Sequence, residues 1–131
     1  MLPWNTLTIQ STYGRLYNEA NAMNYLNCIK ELIAFLSPFY ASVDELKTKV
    51  ELMGKTPEQH FVSDKVQEIF WGNFWGEEFC KRYDANGILE STECHIETIG
   101  NGIFFTLSES MHDSQTHKID TYRRIIKKHL K

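Results

Sequence analysis

The side chains of this chain best suited to metal chemistry lie in the segment MHDSQTH, at His112, Asp113 and His117. Imidazole nitrogens and carboxylate oxygens bind zinc, but a His-x4-His pair needs a further ligand from elsewhere in the chain. The segment also has the composition of a polar loop before a helix, with Ser114 or Thr116 as a cap. We therefore interpret it as a loop, and we expect neither a metal nor another cofactor.

The other candidates for catalysis are sequence neighbours, which is an unfavourable spacing. Cys94 and His95 point to opposite sides of a strand, so they cannot form a thiolate–imidazolium pair with each other. Glu77 and Glu78 diverge by about 100° on a helix, which is poor geometry for an acid–base pair. The sequence has neither a glycine-rich phosphate loop nor a GxSxG motif. We predict that the protein is not an enzyme.

Length, composition and charge indicate a single domain over residues 1–131. The chain is 42% hydrophobic, enough to bury a core without a metal or disulfide. With 14 basic and 17 acidic residues the formal charge is −3, so we expect no direct nucleic-acid binding and a preference for a basic partner. We interpret the basic residues near the C-terminus as a solvated helix face: Lys118, Arg123, Arg124, Lys127, Lys128 and Lys131.

Cysteine usage and hydropathy favour a cytoplasmic location for this protein. The three cysteines are odd in number and show no CxxC spacing, so a disulfide framework is not expected. We expect Cys28 and Cys80 to pack in the core. No leader-like segment opens the sequence and no apolar run approaches about 18 residues, which predicts a protein without a membrane span.

Periodicity predicts the elements that would position these residues. Residues 6–13 alternate as a strand, and residues 18–37 follow a helical period. Residues 42–54 fit either a capped helix or a strand, and we favour the strand; residues 64–71 also fit either type. Residues 76–83 predict a short helix with two carboxylates in its first turn.

The helix over 18–37 has a broad apolar face, which predicts packing on a sheet. Asn18 is its expected N-cap and Pro38 its stop. Its apolar face comprises Ala22, Leu26, Ile29, Ile33 and Leu36, widened by Met23, Tyr25, Leu32 and Phe35.

Residues 93–109 predict a hairpin with Asn101-Gly102 as a type I′ turn. The buried face would then hold the pairs Gly100–Ile103, Thr98–Phe105 and Ile96–Leu107, and the wetter face the pairs Glu97–Thr106 and His95–Ser108.

A final helix is predicted over 118–130, with Ile119, Tyr122, Ile126 and Leu130 facing inward. The order of elements indicates an α+β fold, in which helices pack on an antiparallel-rich sheet and the last element is a C-terminal helix.

The stretch FWGNFWGEEF, residues 70–79, has four aromatic residues within its first six positions, together with two glycines, and two carboxylates follow directly. Gly72 and Gly76 permit a sharp bend or a close backbone approach. Two interpretations remain open. The rings either pack a corner of the core, or leave one ring beside the carboxylates as a contact residue for another protein.

The pattern W-G-N-x-x-G-E-x-F, from Trp71 to Phe79, resembles a motif of immunity proteins from bacterial polymorphic-toxin and type VI secretion systems. Further matching pieces are Gly100-Asn101-Gly102, the segment FFTLSES and Tyr122-Arg123-Arg124, so the resemblance covers roughly residues 68–130. It implies a cytoplasmic protein that binds a cognate toxin effector domain, such as a nuclease with a basic surface, and occludes its active site.

The hypothesis places an aromatic anchor beside acidic steering residues. The expected partner-binding residues are Trp75, Glu77, Glu78, Asp84, Glu90 and Glu93. The alternative is a small adaptor or ligand-binding domain with a pocket between helices and sheet.

Overall fold

The computed structural model describes residues 19–45, 48, 51, 68–110 and 117–130. Within them lie four helices and four strands with defined bounds. In chain order they are α1 (Glu19–Leu36), β1 (Tyr40–Val43), β2 (Gly72–Trp75), α2 (Glu77–Arg82), α3 (Ala85–Glu90), β3 (His95–Ile99), β4 (Gly102–Thr106) and α4 (His117–His129). The predicted α+β class with a C-terminal helix is confirmed. None of these helices is both long and apolar enough to span a bilayer.

The four strands form one antiparallel sheet in the order β1-β2-β4-β3. Side chains alternate between the faces of a strand, so the adjacent aromatics at 74–75 and 104–105 enter two different cores. Phe74 and Phe104 pack in one core, which includes Leu26 and Ile33 from α1. The opposite core contains Trp75, Phe79 and Phe105 with Ile119 and Ile126 from α4. Both central strands are therefore apolar at consecutive positions, because both faces of the sheet are covered.

The hairpin forms, but its turn lies one residue earlier than predicted. Ile99 pairs with Gly102, which leaves Gly100 and Asn101 as the two-residue turn. Gly100 has φ 58° and supplies the left-handed residue needed at the first central position. Gly102 serves packing instead, since a Cβ there would meet the Phe74 ring and lie 2.7 Å from the Trp75 carbonyl oxygen. The Asn-Gly pair was misleading because its glycine is needed for close approach to β2.

The predicted buried face of β3 is also wrong. Ile96 pairs with Phe105 rather than Leu107, and Thr98 pairs with Ile103. Ile96 is 45% exposed because β3 lies at one edge of the described sheet, whereas its neighbour Phe105 on central β4 is fully buried.

Helix α1 matches the predicted range, but its buried face is narrower than predicted. Leu26 and Ile33 are buried, whereas three of the apolar residues expected beside them are exposed: Met23, Phe35 and Leu36. Cys28 is exposed as well, so its predicted place in the core is wrong. It lies two residues after Leu26, about 200° around the helix from that buried side chain.

The remaining predictions concern the N-terminal part of the chain and the two ambiguous segments 42–54 and 64–71. Ser42 and Val43 end strand β1, but Thr48 and Glu51 are helical, so the strand favoured for this segment is wrong at those two positions. Glu68, Ile69 and Phe70 adopt neither regular structure. The predicted strand 6–13 and the Asn18 cap lie outside the described residues.

Candidate partner-binding surface

The corner between β2 and α2 explains the glycine at position 76. The Gly76 N–H donates to the Phe39 carbonyl oxygen at 2.9 Å, which ties the corner to the segment after α1. A Cβ at Gly76 would lie 2.6 Å from the Pro38 carbonyl oxygen. Because no side chain fits there, glycine allows the chain to turn from the central strand directly into α2.

The aromatic rings of this stretch are core residues. Trp75 is 0% exposed, and its ring lies 5.2 Å from Phe79 and 4.9 Å from Phe105 between ring centroids. Trp71 and Phe74 are buried too, and Trp71 Nε1 donates to Ser108 Oγ at 3.0 Å. The expectation that Trp75 is a contact residue is therefore wrong for this conformation, because β2 is a central strand with both faces covered.

Asn73, the polar residue of the motif, is fully buried and serves the backbone. Its Oδ1 accepts from the Phe70 N–H at 3.0 Å, and its Nδ2 donates to the Phe70 carbonyl oxygen at 2.8 Å. These two bonds hold the segment before β2 in place and satisfy a side chain that would otherwise be costly to bury.

Glu77 and Glu78 are exposed in the first turn of α2. Glu77 forms an ion pair with Lys81 at 2.7 Å and accepts from Asn101 Nδ2 at 3.4 Å. The hydrogen bond and charge of Lys81 lower the pKa of Glu77. The carboxylate of Glu77 thus stays charged and is held beside the hairpin turn.

The other predicted acidic residues lie before, at the end of and after α3. Asp84 caps α3 by accepting from the Gly87 N–H at 3.2 Å, and Glu90 is exposed at its end. Glu93 binds Lys118 and accepts from the Tyr122 hydroxyl at 3.2 Å; the hydrogen bond from Lys118 is the main cause of its lowered pKa. Residues 77–93 carry five acidic and two basic side chains, a net −3.

A groove of about 290 Å³ lies where three separate parts of the chain meet. Its walls are the end of α1, the first turn of α2 and the hairpin turn. Its lining includes Ile33, Pro38, Phe74, Glu77, Glu78 and Gly100. No local pattern predicts this groove, because its walls come from segments that are distant along the chain.

The last turn of α1 adds two exposed apolar side chains to this end of the molecule. Phe35 is 85% exposed and Leu36 is 51% exposed; in sequence they lie between Ala34 and Ser37, which line the groove, but they are not lining residues themselves. We call Phe35, Leu36, Glu77 and Glu78 the groove rim. The rim combines large apolar side chains with carboxylates, which are the features expected of an anchor and its steering charges.

The basic face predicted for α4 is largely engaged within the molecule. Arg123, expected in solvent, is 5% exposed; its Nε donates to the Ile69 carbonyl oxygen at 3.0 Å and its Nη1 to Asp120 at 3.1 Å. Lys127 pairs with Glu68 at 2.9 Å. The bonds to Ile69 and Glu68 hold this segment against α4, and the pattern of the sequence did not predict them because these two partners are more than fifty residues away.

The thiols and histidines form no metal cluster within the described ranges. Cys80 Sγ donates to the Trp75 carbonyl oxygen at 3.3 Å, and burial raises the pKa values of the Cys80 and Cys94 thiols. His117 is exposed at the start of α4, whereas His112 and Asp113 lie outside the described residues.

Comparison with protein-family models finds no match to this chain. Comparisons with curated proteins and with solved structures likewise give no significant match.

Proposed function

We propose that this protein is a cytoplasmic immunity protein that binds a cognate toxin effector and blocks its active site by occlusion. The motif Trp71–Phe79 and its resemblance motivate the class. The structural observation that supports it is that Phe35, whose side chain is 85% exposed, lies in the last turn of α1, next in sequence to the groove-lining residue Ala34, while the exposed Glu77 and Glu78 line the same groove.

Each part of the rim has a separate role in this proposal. Phe35 inserts into an apolar depression of the toxin, where burial of a phenyl ring contributes about 1.5–3 kcal/mol. Glu77 and Glu78 face basic residues of the toxin and increase the association rate. A standard interface of roughly 1,600 Å² is larger than the rim, so neighbouring surface on α1 and α2 completes it. The mechanism needs no catalytic group.

Co-expression with the product of the adjacent upstream reading frame tests the proposal. The expected result is rescue of growth together with co-purification of a stoichiometric complex. Phe35→Ala should weaken both, whereas Met23→Ala, which truncates another exposed side chain of α1, should leave both unchanged. Absence of a complex, or equal behaviour of the two variants, would contradict the proposed function or the proposed surface respectively.

The groove itself favours a second candidate, a small ligand-binding domain. Its volume of about 290 Å³ is at the lower limit of small-molecule sites, and its lining combines apolar side chains with polar groups, including two carboxylates. A small molecule retained through purification of the native protein, and lost in Ile33→Trp, would support this candidate instead.

A further inference from the structure

Among the residues that the structure describes, strand β3 pairs on one side only, with β4. Its residues from His95 to Thr98 are all exposed. Natural edge strands are protected by bulges, prolines, charged side chains (especially lysine) or very short length. The five residues of β3 include neither Pro nor Lys and pair with β4 in continuous register, and their acidic side chain, Glu97, is ion-paired with Lys30. The strand is therefore suited to pairing with a further strand.

The hairpin determines which backbone groups face the open side. The pair that closes a two-residue turn exchanges hydrogen bonds, and hydrogen-bonded pairs then alternate along the strands. Ile99, Glu97 and His95 therefore direct their backbone groups to β4. Ile96 and Thr98 direct theirs to the open edge, so an added strand must bond at these two positions.

The side chains of β3 are complementary to a second copy of the same strand in one register. With a two-fold axis at Ile96, the two Ile96 side chains lie opposite each other, and each His95 lies opposite the Glu97 of the other copy. With the axis at Glu97, the two carboxylates face each other, which is destabilising. The arrangement centred on Ile96 also satisfies the hydrogen-bonding positions of the open edge.

We propose that two copies of this chain associate by antiparallel pairing of their β3 strands, centred on Ile96, so that the two four-stranded sheets become continuous. Glu97 keeps its ion pair with Lys30 of the same copy at 2.7 Å, and its half-exposed side chain also accepts from His95 of the other copy. The pairing buries the exposed part of Ile96. This inference does not depend on the proposed immunity function.

The association is weak, because a five-residue strand pair buries less area than a standard interface. Sedimentation equilibrium on the full chain, at concentrations up to about 0.5 mM, tests it in the range where such small interfaces associate. The mass should rise from the monomer value of 15.3 kDa toward twice that value. A constant monomer mass over the whole range would overturn the proposal.

Cysteine cross-linking tests the register. Two Ile96 residues in a hydrogen-bonded pair have Cα atoms about 5.5 Å apart, which permits a disulfide. In a background with Cys28→Ser and Cys94→Ser, Ile96→Cys should give a covalent dimer under mild oxidation. Thr98→Cys in the same background is the control, because position 98 lies opposite position 94 of the other copy. Equal cross-linking of both variants, or cross-linking of the control alone, would overturn this register.

Charge substitutions test the contact between His95 and Glu97. His95→Glu places two carboxylates opposite each other at both ends of the pairing and should weaken dimerisation roughly tenfold. His95→Lys places an ammonium group opposite the Glu97 carboxylate and should dimerise at least as well as the native chain. Neither substitution removes the Lys30–Glu97 pair. If both variants change the dimerisation constant equally, the proposed contact is wrong.

Discussion

The guanidinium of Arg123 on α4 lies 3.6 Å from the carboxylate of Asp44, which follows strand β1 and has a fully buried side chain. Asp44 Oδ2 also accepts from the Trp71 N–H at 2.8 Å. The last helix, the edge strand β1 and the start of the aromatic stretch are thus joined through one carboxylate. A buried charge of this kind is tolerated only while its partner is present.

Removal of the cation should therefore be strongly destabilising. Arg123→Met leaves the Asp44 charge buried and should lower the free energy of unfolding by about 3–5 kcal/mol. Arg124→Met is the matched control, because Arg124 is exposed and bonds within its own helix to Asp120 and Thr121. The control should change stability by less than about 0.5 kcal/mol. Urea unfolding measures both, and equal effects would mean that Arg123 contributes no more than a surface residue.

The glycines of the hairpin distinguish the observed turn from the one expected for Asn101-Gly102. Gly100→Ala should cost about 1 kcal/mol because of its positive φ. Gly102→Ala and Gly102→Asn should both cost about 3 kcal/mol, since any Cβ meets the Phe74 ring. Thermal unfolding gives the comparison; a much smaller cost for Gly102→Asn than for Gly102→Ala would support the other turn, in which position 102 needs a positive φ.

The buried Arg123–Asp44 pair and the hairpin turn illustrate which features of the fold can be predicted from the sequence. Periods of 3.6 residues located α1 and α4 because each packs one face, and turn residues located the hairpin. Local patterns do not report which strand lies at an edge, so the exposure of Ile96 and the burial of Trp75 were predicted wrongly. Arg123 was also assigned to solvent, because its partner Asp44 is distant in sequence.

The pair between Glu93 and Lys118 should be detectable by titration. Hydrogen bonds from Lys118 and Tyr122 lower the pKa of Glu93. A carboxylate with a lowered folded-state pKa stabilises the protein fully above its unfolded pKa, and this contribution is lost as pH falls through the folded value. In Lys118→Met, the NMR titration midpoint of Glu93 should therefore rise toward its ordinary value of 4.5.

The same substitution gives a second readout. The stability difference between the native chain and Lys118→Met should be present at neutral pH and should narrow as pH falls below about 4.5. It should be small and should decrease with salt, because both side chains are exposed. Lys81→Met is the control, since it affects Glu77 and should not move the Glu93 midpoint. An unchanged Glu93 midpoint in Lys118→Met would contradict this pairing in solution.

The carboxylates of the groove rim should control the rate of toxin binding if the proposed surface is correct. Glu77→Gln/Glu78→Gln removes two exposed charges without changing side-chain size. At low ionic strength the association rate constant should fall several-fold, and the difference should vanish near 1 M salt, where the screening length is about 3 Å. Stopped-flow binding at several salt concentrations measures this dependence.

A charge-matched control separates local steering from an effect of net charge. Glu51→Gln/Glu109→Gln removes the same formal charge from two exposed positions outside the rim. Steering by the rim predicts a larger low-salt decrease for the Glu77/Glu78 variant than for this control, because only the rim charges approach basic groups of the toxin within a Debye length of about 10 Å at 0.1 M salt. Equal decreases would show that the toxin responds to overall charge, and the rim would then no longer be the proposed docking surface.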